Sequence, residues 1–259
     1  MLRPRIIPCL LIRNGGLVKT VQFKESKYVG DPVNAVKIFN EKESDELVVL
    51  DIDATVNAAE PNFRLIGQLA AECRMPLCYG GGVKTVDQAR RVIGLGVEKV
   101  ALSSAALETP RLITDVGRTV GNQSVVVVLD ARKRRLGSGH EVWTHNARRN
   151  TGKTVVDAAA EAEWYGAGEI VVNSIDNDGQ MRGYDLELAK AVRAVTTIPM
   201  TVLGGASSLD DVAQLIKTCG VVGAAAGSLF VFKGAYRAVL INYPNATQRE
   251  ELIRGAVAH

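Results

Sequence analysis

Five aspartates stand where an apolar run gives out. Asp130 ends VVVVLD, Asp51 and Asp53 lie in LDIDAT, and Asp176 and Asp178 lie in SIDNDG. A carboxyl just past a buried strand is partly desolvated, so its pKa rises toward neutrality and it can work as a general acid or base. The competing role is to cap a helix or organise a turn. That is the reading for Asp51 and Asp53, and Asp176 fits either. Asp130 is the sharper candidate for proton transfer. Beside these acids stand glycine pairs, Gly81-Gly82 (preceded by Gly80) and Gly204-Gly205, and small hydroxyl sites, Ser103-Ser104 and Gly227-Ser228. Glycine lets a ligand approach the backbone amides, and a serine beginning a helix adds a hydroxyl, so both pairs suit an anion such as phosphate. Glycines after strands also make tight turns without any ligand. The recurrence of the pattern at two matching places favours a ligand carrying a phosphate at each end.

A second set of charges precedes apolar runs instead of following them. Arg5, Glu46, Lys99 and Glu169 each stand immediately before such a run, two positive and two negative. Taken singly, each is a solvated strand-end charge worth little. Together they could pair into a ring.

The elements that must position these groups are visible as an alternation. Continuous apolar runs occupy Ile6–Ile12, Leu47–Ile52, Pro76–Tyr79, Val100–Leu102, Val125–Leu129, Ile170–Val172, Pro199–Leu203 and Val221–Ala226. Continuous hydrophobicity is what a strand buried on both faces requires. Between them lie helical patterns at Pro32–Asn40, Asn62–Glu72, Val86–Ile93, Pro110–Gly117, Thr154–Tyr165, Leu186–Val195, Leu209–Lys217 and, least clearly, Gly234–Ile241. The chain also repeats itself. One register lays Gly81-Gly82 on Gly204-Gly205, Val86-Asp87 on Leu209-Asp210, Ile93 on Ile216, Glu46 on Glu169 and Asp53 on Asp176. Eight strand-helix units in two similar halves predict an α/β fold of the (βα)8 TIM-barrel type. It is expected as one domain over residues 1–259, with half-repeats of about 1–123 and 124–245. An open doubly wound sheet would give no reason for the repeat. In such a barrel the reacting groups belong at the C-terminal ends of the strands, which is where the aspartates and glycines fall, and the rim charges fall at the opposite end.

Composition excludes several classes. A chain of 259 residues with 47% hydrophobic side chains can bury a large core. A net charge of +3 over 31 basic and 28 acidic residues gives no field for nucleic acid or a membrane surface. The one basic cluster, Arg132–Arg135, reads as part of a loop. Cys9, Cys73, Cys78 and Cys219 form no CxxC and no grouping with histidine. They read as buried reduced thiols, which points to the cytoplasm, with no metal and no cofactor expected. The opening MLRPRIIPCLLIR has a short apolar run flanked by charge and reads as a first strand, not a signal or membrane segment.

IIPCLLI, DELVVLDIDA, YGGGVKT, GVEKVALSSAA, VVVVLDA, NTGKT, GAGEIVVNSIDNDG, GYDLEL and VLGGAS, in this order over about residues 4–230, resemble the HisF family, the cyclase subunit of imidazole glycerol phosphate synthase. The resemblance implies a barrel that docks a HisH-like glutaminase on its N-terminal rim and passes ammonia through its centre to a doubly phosphorylated substrate. It further implies that Arg5, Glu46, Lys99 and Glu169 are the gate at the channel mouth, that Glu98 contacts the glutaminase, and that Lys19 belongs to the mobile first loop. By the same resemblance Asp130 is the catalytic acid of strand 5. Gly82, Ser103, Ser104, Asp178, Gly179, Gly205 and Ser228 lie around the two phosphates, with Gly227 beside Ser228.

The departures are informative. The family's cyclase uses a second aspartate on strand 1, and aligning IPCLLIR with VVVLDAR places Leu11 opposite Asp130. Leucine can neither give nor take a proton, a loss of the order of a hundredfold or more where proton transfer matters. Ser103 stands where the cyclase usually has asparagine. FVFKGAYRAVLINYP and PCLLIRNGGLVKTVQFKESKYVGDPVNA look like a divergent branch associated with acetamidino sugars of bacterial surface polysaccharides, in which a third, ATP-dependent amidotransferase cooperates. Three readings follow: an ammonia-supplying subunit acting on a phosphorylated or nucleotide-sugar substrate in that pathway, a true cyclase of histidine biosynthesis, and a catalytically silent scaffold that activates a glutaminase. A related sugar-phosphate isomerase would have no use for charges ringing the barrel end.

Overall fold

The computed structural model describes residues 3–234 and 236–257. In chain order the first half holds β1 (Arg5–Arg13), β2 (Gly16–Thr20), β3 (Ser26–Gly30), α1 (Pro32–Glu41), β4 (Leu47–Asp51), α2 (Phe63–Glu72), β5 (Leu77–Gly80), α3 (Val86–Gly94), β6 (Lys99–Leu102), α4 (Ser104–Glu108) and α5 (Arg111–Val120). The second holds β7 (Val125–Lys133), β8 (His140–Thr144), β9 (Arg149–Thr154), α6 (Val155–Trp164), β10 (Glu169–Ser174), α7 (Leu186–Arg193), β11 (Met200–Leu203), α8 (Leu209–Cys219), β12 (Gly223–Ala226), α9 (Ser228–Val231), β13 (Phe232–Lys233), β14 (Ala238–Val239) and α10 (Ala246–Val257).

Eight parallel strands close on themselves in the order β1, β4, β5, β6, β7, β10, β11, β12 and back to β1. With helices between successive strands, this is a (βα)8 barrel. The continuous apolar runs are explained by two separate cores. On β1, Ile6, Leu10 and Ile12 point outward and pack under the helices. Ile7 and Cys9 point inward, where they meet Val48, Cys78, Ala101, Val126, Val128, Val171, Leu203 and Ala225, with Leu11 and Leu50 against the same cluster. Alternation survives within each strand, but both faces are buried, so the sequence reads as unbroken hydrophobicity.

Helix starts follow from local chemistry. Asp31, Asn62, Thr85, Thr154 and Asp185 each accept a hydrogen bond from the backbone amide three residues on, and Ser208 with Asp211 forms a full capping box. No described helix is long and apolar enough to cross a membrane. Cys9 and Cys78 are buried, Cys73 and Cys219 half-buried, and none of the four is bonded to another.

The structure corrects two expectations and adds two hairpins. Gly234–Ile241 is not the eighth helix. Gly234, at φ +73°, turns the chain into a short hairpin in which Phe232 pairs with Val239 and Lys233 with Ala238; Ala235 lies outside the described residues. The eighth helix is α10, which begins after Pro244 and buries only Ala256 among its residues, too thin an apolar face to be read. Arg132–Arg135 is only half a loop: β7 runs on through Arg132 and Lys133 and pairs with β8. Two extra hairpins, β2–β3 and β8–β9, rise above the C-terminal end of the barrel, and neither has an apolar run to announce it.

A cavity at the C-terminal mouth and a charged ring at the opposite end

The C-terminal ends of the strands surround a cavity of about 380 Å³. Asp130, Lys19, Gly82, Ser103, Ser104, Asp178, Gly179, Gly205, Gly227 and Ser228 all line it, so one space gathers every residue that the sequence placed there.

Asp130 is the last residue of β7 to face the barrel interior beside β10. The register sets it opposite Asn173, whose amide nitrogen donates to its carboxylate at 2.9 Å. Its surroundings desolvate it and raise its pKa to about 7, with the negative charge of Asp178 adding to the effect and the Asn173 hydrogen bond opposing it. A carboxyl with that pKa can both release and recover a proton at neutral pH. Asn173 was missed in the sequence because the attention to strand ends went to carboxylates, although it follows the Ile170–Val172 run just as Asp130 follows its own. Its own side-chain oxygen is buried without a partner, an unmet acceptor at the cavity wall.

Lys19 lies on β2, folded down into the mouth, where its ammonium donates to the Cys9 carbonyl at 2.6 Å. Burial lowers its pKa, against the pull of Cys9 and Asp178. The ammonium fills the space that a β-carbon on Gly227 would need, so Gly227 makes room for Lys19. Asp178 organises the same loop: its carboxylate accepts from the Thr20 hydroxyl at 2.7 Å and the Phe23 amide at 3.2 Å. Burial raises its pKa against those bonds.

The glycines have a structural duty whatever they bind. A β-carbon on Gly81 would lie 2.5 Å from the Asp51 carbonyl and one on Gly204 2.7 Å from the Ser174 carbonyl, both at positive φ. Beyond the turns, α4 starts at Ser104 and α9 at Ser228, each against the cavity. Asp51 and Asp53 are turn organisers: Asp51 accepts from the amides of Asp53 and Ala54 at 3.1 Å each, and Asp53 pairs with Arg13 at 3.1 Å. Asp176 accepts from the Lys133 amide at 2.8 Å. Leu11 lines the cavity on β1, which stands diametrically across the strand order from β7.

The β8–β9 turn was also missed. His145, Asn146 and Ala147 take three successive left-handed backbone conformations, at φ +55°, +55° and +59°, a run that L-residues adopt only at a cost. Asn146 holds the turn across the mouth by donating to the Ile52 carbonyl at 2.7 Å. His145 faces the cavity, with Nδ1 3.1 Å from the hydroxyl of Thr144.

At the other end, Arg5, Glu46, Lys99 and Glu169 do meet. Lys99 bonds Glu46 and Glu169 at 2.8 Å each, and Arg5 bonds Glu169 at 2.7 Å and also Glu46. The ring therefore alternates in sign and closes. Thr201 donates to Glu169 at 2.6 Å. Burial alone would raise the pKa of Glu169, but Arg5 and Lys99 outweigh it and hold it near 2. Burial would likewise lower Arg5 and Lys99, and the two glutamates raise them instead. Between ring and cavity lies the apolar inner core. Glu98 is exposed, next to Lys99 on the same rim.

Residues 5–237 match the family described as histidine biosynthesis protein. A protein of Leptospira borgpetersenii, provisionally named imidazole glycerol phosphate synthase subunit HisF, is 56% identical over 97% of this chain and 99% of its own length. A Vibrio vulnificus protein provisionally named subunit hisF3 of the same synthase is 55% identical over 98% of this chain and 97% of its own. The imidazole glycerol phosphate synthase subunit HisF of Lactococcus lactis (strain SK11) is 39% identical over 99% of this chain and 96% of its own.

Proposed function

The chain belongs to the histidine biosynthesis protein family, and within it to the HisF-type subunits; from that premise we propose that it is the ammonia-using synthase subunit of a glutamine amidotransferase, fed by a HisH-like glutaminase on its N-terminal rim. The observation that carries the reading is one axis with a purpose at each end. A closed ring of four charges sits at the bottom, a lined cavity with Asp130 at the top, and apolar side chains between them. Neutral ammonia can cross an apolar interior that an ammonium ion could enter only by losing its hydration. In this reading Arg5, Glu46, Lys99 and Glu169 gate the bottom and Glu98 touches the glutaminase. Asp130 moves protons, while Lys19, Gly82, Ser103, Ser104, Asp178, Gly179, Gly205, Gly227 and Ser228 surround the substrate. The chain acts as one barrel of two half-repeats, in the cytoplasm.

The product follows from Leu11. With no carboxyl across from Asp130, ring closure to an imidazole lacks its second proton-transfer group. The chemistry that fits better is supply of ammonia for turning an acetamido group of a surface sugar into an acetamidino group, with a separate ATP-dependent amidotransferase. The second reading, imidazole glycerol phosphate formation, is favoured by the names of the relatives.

One assay separates them: purified chain, excess ammonium and the phosphoribulosyl substrate of imidazole glycerol phosphate synthase, followed by substrate absorbance. We expect turnover to be absent or at least a hundredfold below that of a two-aspartate cyclase. Turnover at full rate would establish the cyclase reading. The Leu11→Asp variant then tests the rest of the site, since a gain of cyclisation would show that only this carboxyl is missing.

A further inference from the structure

The loops that surround the charged ring fall into two contiguous halves. On the side of β1, β4, β5 and β6, the segments leading into the strands carry Arg3, Lys42, Glu43, Arg74 and Glu98. On the side of β7, β10, β11 and β12, the corresponding segments are Gly121–Ser124, Tyr165–Gly168, Ala194–Pro199 and Gly220–Val222, and none contains a charged residue. The strand order makes each set an unbroken half-circle.

This half also exposes large apolar side chains, beside the charged last turns of its helices at Glu163, Arg193 and Lys217. Trp164, which ends α6 five residues before Glu169, is 86% exposed, Val221 49% and Val195 38%. These loops are tied to one another. Glu163 accepts from the Thr197 amide at 3.1 Å, joining the loops before β10 and β11, Thr114 donates to the Tyr165 carbonyl at 2.7 Å, and Arg193 donates to the Ile198 carbonyl at 3.1 Å. A large aromatic side chain left in water on a tied-down loop is costly to leave uncovered, and it has few rotatable bonds to freeze when covered.

We propose that the glutaminase partner docks off-centre on this rim. Trp164, flanked by Val195 and Val221, fills an apolar socket on the partner and supplies most of the affinity, while the charged half fixes its orientation. The assignment rests on the function proposed above, and it names which part of the rim does the holding. Any protein that delivers ammonia to the ring must cover both halves at once. An interface with an aromatic anchor on one side only is self-orienting, because a half-turn of the partner would carry its socket away from Trp164.

The test is calorimetric titration of this full-length chain with each HisH-like glutaminase subunit of the same organism, at low and at high salt. Trp164→Ala is expected to weaken binding about thirtyfold or more, the scale of an aromatic hot spot, and to leave the salt dependence unchanged. Arg74→Ala combined with Glu98→Ala is expected to cost less than about fivefold while flattening the salt dependence. Trp164 is exposed, so its removal should not alter the melting temperature. Binding that ignores Trp164 but collapses with Arg74 and Glu98 would overturn the assignment and leave the glutaminase reading intact. No binding by the unaltered chain would overturn that reading as well. Sedimentation of the chain alone gives the remaining outcome: a dimer dissolved by Trp164→Ala would make a second copy the occupant and overturn the partner named here.

Discussion

Asp130 and Asn173 form a hydrogen-bonded carboxyl–amide pair in the cavity, and the proton transfer proposed for Asp130 depends on it. Burial raises the carboxyl to about 7, and the single hydrogen bond from Asn173 is what restrains it. Replacing Asn173 with leucine removes that donor and keeps the volume, so the Asp130 pKa should rise further, as read by carbon-13 titration of its carboxyl. A pKa that stays or falls would refute the role given to Asn173. The same shift carries a stability signature. The folded pKa lies above the unfolded value of 3.8, so the native state keeps a proton that the unfolded chain releases. Stability from this group is complete below pH 3.8, and it is lost as pH rises through about 7. Asp130→Asn should therefore stabilise the fold increasingly between about pH 4 and 7, and then by a constant amount of the order of a few kcal/mol, measured as urea midpoints. This aspartate was legible because it follows an apolar run. Asn173, one strand over, also follows an apolar run, but a neutral amide there signals no proton chemistry until the register sets it beside Asp130.

At the scale of elements, strands were legible where their burial is two-sided, and hairpins were not. The β8–β9 hairpin is half exposed and built from HEVWT and RNTGKT, and it is held by side chains reaching far along the chain: Asn146 to the Ile52 carbonyl, Arg149 to Glu108 and His140 to Asp185. No local pattern encodes a partner so distant in the chain. The ring at the strand starts was legible as four charges able to pair, and which pairs form depends on β1, β4, β6 and β10 lying around one axis. The ring predicts a pH response. Glu169 is held near 2, below its ordinary 4.5, so its contribution is present above pH 4.5 and lost as pH falls toward 2. Arg5 and Lys99 are raised, so theirs is present below their ordinary values and lost only in stronger alkali. Glu169→Gln should cost about 2–3 kcal/mol at pH 7, because it leaves Arg5 and Lys99 short of a partner. It should cost far less at pH 2, where the native carboxylate is itself being neutralised. Urea unfolding at the two pH values checks this, and an equal loss at both would show that the ring does not act through charge.

The whole molecule is a barrel with a charged ring at one end and a lined cavity at the other. The fold could be read from its alternation and repeat, but the apolar interior between ring and cavity could not, since it is assembled one or two side chains at a time from all eight strands. Small residues set its width: Cys9, Cys78, Ala101 and Ala225 share the inner core with valines. If that interior is the route for ammonia, its width is a functional quantity, and Ala225 is the place to change it. Ala225 is fully buried, stands opposite Ile7 in the register, and its backbone carbonyl accepts a hydrogen bond from Tyr184. Ala225→Leu would add three carbons to the centre of the barrel at a stability cost of about 1–3 kcal/mol. Turnover driven by glutamine through the partner should fall at least tenfold. Turnover driven by added ammonium should stay within about twofold, because that reagent reaches Asp130 from the open C-terminal mouth. The comparison holds whichever product the cavity makes, since both rates are measured on one substrate with one protein. An equal fall in both would mean that the leucine had damaged the cavity, and Ala101→Val, at another point of the inner core, would then separate damage from obstruction. If glutamine-driven turnover survived both substitutions, ammonia would have to travel outside the barrel, and the ring of Arg5, Glu46, Lys99 and Glu169 would be a closure holding eight strands together.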